Sequence, residues 1–134
     1  MIEYTNYDFY MNTYKGDMSS YDFMKLVTRA SAEVRKNIFD RDISKYKDEV
    51  QMATCSVADI LLNIKQLEKR RAKLVSSNAT DKIIASESVA DLSRTFANIT
   101  NLSDLEKEIS NQKNKIKEEI RVYLLHTGLL YRGV

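Results

Sequence analysis

The feature that most limits how this chain can fold is a long apolar repeat in its central third. In this region apolar residues recur every three or four positions over roughly five turns, which is the spacing of one face of an α-helix. Three glycines and no proline among 134 residues leave few places for tight turns. We therefore expect a mainly α fold, with a central helix over residues 47–73. Its buried face is predicted to contain Val50, Ala53, Val57, Ile60, Leu61, Ile64 and Leu67.

Two further helices are predicted on either side of the central one. Ser19 and Asp22 have the spacing of an N-terminal cap, which predicts a helix over residues 19–39. Ser103 and Glu106 have the spacing of a capping box, and Gly128 suits a left-handed C-terminal cap, so residues 103–126 form the last predicted helix. The expected buried faces are Phe23, Leu26, Val27, Ala30, Val34 and Ile38, and then Leu105, Ile109, Ile116, Ile120 and Leu124.

Two regions outside these helices carry weaker patterns. Tyr4, Tyr7, Tyr10 and Tyr14 are spaced to form an adhesive stripe on a short helix. Residues 83–96 lose the helical period and place β-branched residues around Ala90-Asp91, which predicts a β-hairpin. A lone hairpin is only marginally stable, so it should lean on a helix or on another chain. The expected contacts are Ile83, Ile84, Val89, Leu92 and Phe96. The whole chain, residues 1–134, is predicted to be one small helical bundle with this central hairpin or a long loop, and an extended C-terminal tail over residues 128–134.

Composition narrows the function classes. With 21 Lys and Arg against 19 Asp and Glu, no strong overall field favours nucleic acid or an anionic membrane. No window reaches the ~18 apolar residues that a membrane helix needs, and the first residues do not resemble a signal peptide, so we expect a cytosolic chain. The glycines cannot form a nucleotide-binding loop. One Cys and one His cannot supply a zinc site, so no cofactor is expected.

No arrangement of residues points to catalysis. Cys55 lies within an apolar helix, which raises the pKa of a thiol, and His126 lies far along the chain. Asp59 is the one carboxylate in an apolar setting, and we expect it to be solvated or capped by backbone rather than catalytic. The sequence therefore predicts no enzyme.

Two polar sets on the central helix have alternative interpretations. One is a basic cluster that either complements the negative end of the helix dipole or faces DNA phosphates. It comprises Lys65, Lys69, Arg70, Arg71 and Lys73. The other is a polar stripe that faces either water or a neighbouring subunit. It comprises Ser56, Asp59, Asn63 and Gln66.

The last residues are unusually apolar. The ending HTGLLYRGV places Leu129, Leu130, Tyr131 and Val134 where chain ends are commonly polar and frayed. Either this tail packs on its own core or it docks on something else. Burying two leucines and a tyrosine contributes several kcal/mol in both cases, at ~25 cal/mol per Å², so energy alone does not choose.

Four segments together resemble the small head-to-tail connector proteins, also called adaptor or head-completion proteins, of long-tailed bacteriophages, particularly of Gram-positive hosts. The likeness covers most of the chain. It rests on YDFYMNTYKG with DFMKLVTRASAEV, on VQMATCSVADIL, on IASESVADLS and on YLLHTGLLYRGV, in the order of the family. Two positions depart from it, because Ala90 and Asp40 stand where the family leads us to expect glycine.

The resemblance implies a structural role in the virion. A ring of copies, a dodecamer in the family, would lie between the portal and the tail, extend the DNA channel, retain packaged DNA without sequence specificity and attach the next neck or tail-completion protein. The chain would be made in the host cytoplasm and contact no membrane. In this setting we expect Leu129, Leu130, Tyr131 and Arg132 to dock on the portal or on a neighbouring copy, in the manner of an added strand.

Two other functions remain open from the sequence. A DNA-binding packaging protein of the small-terminase type would need a recognition helix rich in Arg, Lys, Asn and Gln after a short turn. Only residues 65–73 approach that pattern, and a long polar stretch follows them. A generic helical interaction module, oligomeric through its Tyr and Leu stripes, is the third reading.

Overall fold

The computed structural model describes residues 3–39, 41–76 and 101–130. These residues are mainly helical and include no β-strand, which confirms the mainly α prediction. The helices in this part of the chain are α1 (Tyr7–Phe9), α2 (Ser20–Ile38), α3 (Lys47–Ser76) and α4 (Leu102–Leu124). α1 continues directly as a π-helical segment, Tyr10–Tyr14, and α4 continues as a 3-10 turn, Leu125–Thr127. The three long helices begin and end within three residues of their predicted bounds.

The chain divides into two compact units. The first comprises Met1–Leu61 with Lys115–Val134, and the second comprises Leu62–Asn114. The expectation of a single domain over residues 1–134 stays a prediction.

α2 begins and ends at well-defined caps. The Ser19 side chain accepts a hydrogen bond from the backbone N of Asp22 at 3.2 Å, which confirms the predicted N-terminal cap. At the other end Phe39 has a left-handed backbone, with φ 58°, and closes the helix by donating its N–H to the carbonyl of Arg35. A left-handed cap is costly for a residue with a Cβ, and the Arg41 guanidinium lies 5.4 Å from the centroid of the Phe39 ring at this cap. Asp40, where the family pattern led us to expect glycine, lies outside the described residues.

The buried faces agree with the apolar repeats. Every predicted core residue of α2, α3 and α4 is buried except Leu26 and Leu61, which are half-buried. In the first unit this core also includes Tyr10, Met18 and Leu129. Burial of a leucine-sized side chain contributes about 1.5–3 kcal/mol, so these faces account for the bundle character of the fold.

The predicted capping box at the start of α4 is wrong. The helix is capped by Asn101, whose Oδ1 accepts from the backbone N of Asp104 at 2.8 Å and whose Nδ2 donates to the Asp104 carboxylate at 2.8 Å. Ser103 and Glu106 are exposed inside the first turns instead. The reason is that asparagine caps at least as well as serine, and Asn101 with Asp104 has the same spacing two residues earlier.

The second unit has its own small core. Leu67, Leu105 and Ile109 form a buried cluster against which Leu74 packs. Gln112 is also buried there, and its Nε2 donates to the Glu108 carboxylate at 2.9 Å. That bond satisfies a polar group at the gap in the apolar repeat between Ile109 and Ile116.

Candidate docking site

The N-terminal segment is fixed to α3 by a hydrogen-bonded cluster that we call the tyrosine clasp: Tyr10, Tyr14 and Asp59. The Tyr10 hydroxyl donates to Asp59 Oδ1 at 2.7 Å, and the Tyr14 hydroxyl donates to Oδ2 at 2.9 Å. The Tyr10 hydroxyl also accepts from the backbone N of Met18 at 2.9 Å. Both carboxylate oxygens are therefore occupied by side chains of the same chain, which corrects our expectation of a solvated or backbone-capped Asp59.

The local backbone explains how the clasp closes. Tyr7, Tyr10 and Tyr14 follow one another on the short helix and its π-helical continuation, whereas Tyr4 precedes the helix, contrary to the prediction. The Tyr10 ring stacks on Tyr7 and Tyr14 at 5.9 and 5.5 Å between ring centroids. Lys15 then turns the chain with φ 66°. Gly16 lies directly against the Tyr10 ring, because a Cβ at that position would stand 2.0 Å from Tyr10 Cζ. Glycine is needed here because any side chain would occupy the space of the ring.

Burial sets the protonation of the clasp. It raises the pKa of Asp59, and the hydrogen bonds from Tyr10 and Tyr14 oppose that rise without cancelling it. Burial and the neighbouring carboxylate also raise the pKa of Tyr10 and of Tyr14 well above their usual range. The tyrosine hydroxyls therefore stay protonated and donate hydrogen bonds to the Asp59 carboxylate. Such a closed network is typical of a structural cluster, since each group already has a partner.

Three more contacts attach the same segment. The Thr5 hydroxyl donates to Gln51 Oε1 at 3.2 Å and lies 3.7 Å from Cys55 Sγ, and the Tyr4 backbone N donates to Ser31 Oγ at 3.0 Å. Burial raises the pKa of the Cys55 thiol to about 11. The direction agrees with the expectation that an apolar helix raises the pKa of this thiol.

The predicted basic cluster does not act as one surface. Arg70 is 1% exposed, and burial lowers its pKa. Arg71 lies 3.6 Å from Glu68, while Lys65 and Lys69 are exposed and Lys73 is half-buried. A phosphate-binding surface needs accessible cations, so Arg70 does not take the predicted DNA-facing role.

The predicted polar stripe is distributed over both units. Ser56 is buried and Asp59 belongs to the clasp, whereas Asn63 and Gln66 are half-buried residues of the second unit. Ser56 does not face water, and both carboxylate oxygens of Asp59 accept hydrogen bonds from tyrosines. A role of the stripe at a subunit interface stays a prediction.

The start of the predicted tail is tied to the first unit. Gly128 has φ 79°, as expected for a left-handed cap. The Arg41 guanidinium donates from Nη1 to the carbonyls of Gly128 and Leu129, at 3.1 and 3.0 Å. Leu129 is 6% exposed and packs on its own chain, which is the alternative to docking for that residue. Tyr131 and Arg132 lie outside the described residues.

A cleft of about 470 Å³ opens beside this turn. Its apolar lining comes from Phe39, Ile120, Leu125 and Leu130, and its polar lining comes from Lys36, Asn37, Lys117 and Arg121. We call it the C-terminal cleft. The Arg41 guanidinium lies 5.4 Å from the centroid of the Phe39 ring and also donates to the carbonyls of Gly128 and Leu129. Arg41 therefore contacts both the end of α2 and the C-terminal turn beside the cleft.

The cleft continues into an exposed apolar surface. Phe39, Leu125 and Val122 are 46%, 62% and 67% exposed, and Val122 and Leu125 are neighbours one turn apart. Large apolar side chains clustered with this exposure commonly mark a protein-binding site. The sequence analysis missed this surface, although Val122 and Leu125 lie off the apolar repeat of the last helix, which was the available signal.

The described residues contain neither a metal-binding cluster nor a membrane-spanning helix. Among residues 3–39, 41–76 and 101–130 no group of His, Cys, Asp and Glu has the arrangement of a metal site. Over those same ranges no helix is long and apolar enough to cross a membrane.

Comparison of the chain with known protein families, with curated proteins and with solved structures finds no match. Function is therefore inferred from the geometry of the cleft and from the resemblance of four sequence segments to phage connector proteins.

Proposed function

We propose that this chain is a structural subunit of a phage head-to-tail connector, assembled as a ring between the portal and the tail. The observation that carries the proposal is the C-terminal cleft, whose lining residues Phe39 and Leu125 are 46% and 62% exposed, with Val122 67% exposed one turn before Leu125. Burying Leu125 and Phe39 against another protein would contribute roughly 1.5–3 kcal/mol each, which is a sizeable part of an interface. The same end of the molecule contains the segment with the most specific resemblance, YLLHTGLLYRGV.

The rest of the described chain supports a scaffolding role. Asp59 is engaged by two tyrosines, and the thiol of Cys55 is buried, which raises its pKa to about 11. A helical fold that presents an apolar docking surface suits a passive channel subunit better than an enzyme.

The finer architecture belongs to this proposal. We propose that residues 83–96 form a hairpin that contacts neighbouring copies through Ile83, Ile84, Val89, Leu92 and Phe96. Leu130, Tyr131 and Arg132 would continue from the Gly128 turn to the portal or to an adjacent copy, with Leu129 retained in its own core.

The partners follow from the same assignment. They are other copies of the chain in a ring, a dodecamer by resemblance, the portal protein, a downstream neck or tail-completion protein, and packaged DNA that passes without sequence-specific contacts. The protein would be made in the host cytoplasm and reside in the virion, with neither a cofactor nor a membrane partner.

The small-terminase alternative is disfavoured by the burial of Arg70, because that reading requires an accessible basic helix. A salt titration of DNA binding separates the two functions. The terminase-type function requires an affinity that falls steeply with salt, whereas a connector subunit should bind free DNA weakly at all salt concentrations.

The decisive experiment is genetic. A nonsense mutation early in the reading frame, grown on a host that does not suppress it, should give heads that lack tails and have lost DNA. Supplying the protein from a plasmid should restore DNA-filled, tailed particles. Full and tailed particles made without the protein would overturn the connector assignment.

A further inference from the structure

The C-terminal cleft combines an apolar floor with a rim of one charge. Its charged lining residues are Lys36, Lys117 and Arg121, and no acidic side chain lines it. Lys36 lies 3.2 Å from Glu33 on the same helix, so its charge is partly balanced. Lys117 and Arg121 have no ion-pair partner within the described ranges, and they lie one turn apart on α4.

That pair is unfavourable in the isolated protein. Like charges at positions i and i+4 of a helix repel one another by a few tenths of a kcal/mol. An external acidic group placed between them would remove the repulsion and gain two attractions. The rim is thus complementary to an anion, while Phe39, Leu125 and Leu130 are complementary to apolar side chains.

We propose that the C-terminal cleft binds an acidic amphipathic segment of a partner protein, one in which two or three large apolar side chains are flanked by Asp or Glu. The proposal deepens the connector function and rests on it only in assigning that segment to a neighbouring virion protein. Grooves of this kind hold short helices through residues spaced at three and four positions.

Other occupants fit the cleft less well. A second copy docking through the same face would bring two sets of Lys117 and Arg121 together without any acid between them. Nucleic acid would match the cations, but half of the lining is apolar and offers nothing to a phosphate. The last four residues of the chain, Tyr131 to Val134, include a cation and no acidic side chain.

The first test measures binding of two synthetic peptides to the full chain. Both carry Leu and Phe at helical spacing; one has Glu at the remaining positions and the other has Lys. Fluorescence anisotropy should show the Glu peptide binding at least about tenfold more tightly, with an advantage that shrinks as salt increases. Equal binding of the two peptides, or tighter binding of the Lys peptide, would overturn the proposal.

Variants then locate the site. The double reversal Lys117→Glu with Arg121→Glu should weaken binding of the Glu peptide by about tenfold or more, and Leu125→Ser should weaken it severalfold. The double reversal Lys107→Glu with Lys113→Glu is the matched control: it makes the same change in net charge on exposed residues of α4 outside the cleft, so binding should change little. Thermal melts verify that each variant is folded. If the control loses as much binding as the cleft variant does, the effect comes from net charge alone and the cleft is not the binding site.

Two further measurements test where the peptide binds and whether the chain's own last residues occupy the cleft. Amide chemical-shift changes on adding the Glu peptide should cluster at Phe39, Leu125 and Leu130, and changes centred elsewhere would contradict the assignment. If a chain shortened to residues 1–130 binds the peptide and the full chain does not, the cleft belongs to the chain's own last residues. Peptide binding is independent of the virion experiment, so a dispensable gene would remove the connector function and leave this site in place.

Discussion

The tyrosine clasp and the C-terminal cleft lie in the same compact unit but differ in how completely their polar groups are paired. In the clasp every polar group has a partner, since Asp59 accepts from both Tyr10 and Tyr14 and the Tyr10 hydroxyl also accepts from Met18. In the cleft, Lys117 and Arg121 have no ion-pair partner within the described residues, and the apolar side chains of Phe39 and Leu125 are 46% and 62% exposed. A buried network with every bond made stabilises the fold, whereas an exposed apolar surface with like charges costs some stability and is suited to binding.

The difference gives a rule for interpreting this molecule. Changes in the clasp should alter the free energy of unfolding, and changes on the exposed side of the cleft should alter binding alone. Each prediction below tests that separation.

Within the clasp, the largest effect is expected for Asp59→Ala. The change leaves two tyrosine hydroxyls without their acceptor, in a site where Tyr10 is fully buried. Each unsatisfied buried group costs roughly 1–3 kcal/mol, and Asp59 is itself only half-buried, so we expect a loss of about 2–3 kcal/mol in all. Urea denaturation measures it. Asp17→Ala, at an exposed position, is the control and should stay within about 0.5 kcal/mol of the parent. If the urea midpoint of Asp59→Ala equals that of the parent, the clasp does not stabilise the fold.

A somewhat smaller loss is expected for Gly16→Ala. The added Cβ would overlap the Tyr10 ring at 2.0 Å, and the ring is buried, so backbone or ring must shift at a cost of about 1–3 kcal/mol. The same substitution made in a Tyr10→Leu background should cost clearly less, because the overlapping ring is gone. Equal costs in the two backgrounds would place the defect in the turn itself and not in the ring contact.

The Cys55 thiol tests burial beside the clasp through pH. Its pKa is raised from 9.0 to about 11 on folding, so the folded state holds the thiol proton more tightly than the unfolded state. The stability it contributes is present below pH 9 and is lost as pH rises towards 11. A disulfide reagent at pH 8 should label the native thiol slowly and the urea-unfolded thiol at once. In Cys55→Ala the loss of stability between pH 9 and 11 should be shallower than in the parent, and rapid native labelling would contradict the burial argument.

Sequence reasoning reached the helices and missed much of the site, for a physical reason. Periodicity and caps are local, so they predicted the buried faces and the Ser19 cap, although at α4 the choice between two equally spaced caps fell on the wrong pair. The clasp joins Asp59 to residues 45 and 49 positions away. The sequence analysis singled out Asp59 and aligned the tyrosines, but local spacing does not show that these groups meet. The hairpin proposed for residues 83–96 lies outside the described ranges and stays a prediction.

The smallest effect on stability is expected at Leu125, and its chain neighbour provides the contrast. Leu124 is fully buried and Leu125 is 62% exposed, although the two residues are adjacent and chemically identical. Leu124→Ala should destabilise the protein by about 2–5 kcal/mol through lost burial and a cavity. Leu125→Ala should change the unfolding free energy by no more than about 0.5 kcal/mol, because the residue gives up little buried surface. The same Leu125 variant should still bind the Glu peptide less tightly than the parent does. If instead Leu125→Ala unfolds the chain as readily as Leu124→Ala, then the surface beside the cleft is part of the core, and the division between a structural clasp and a binding cleft fails.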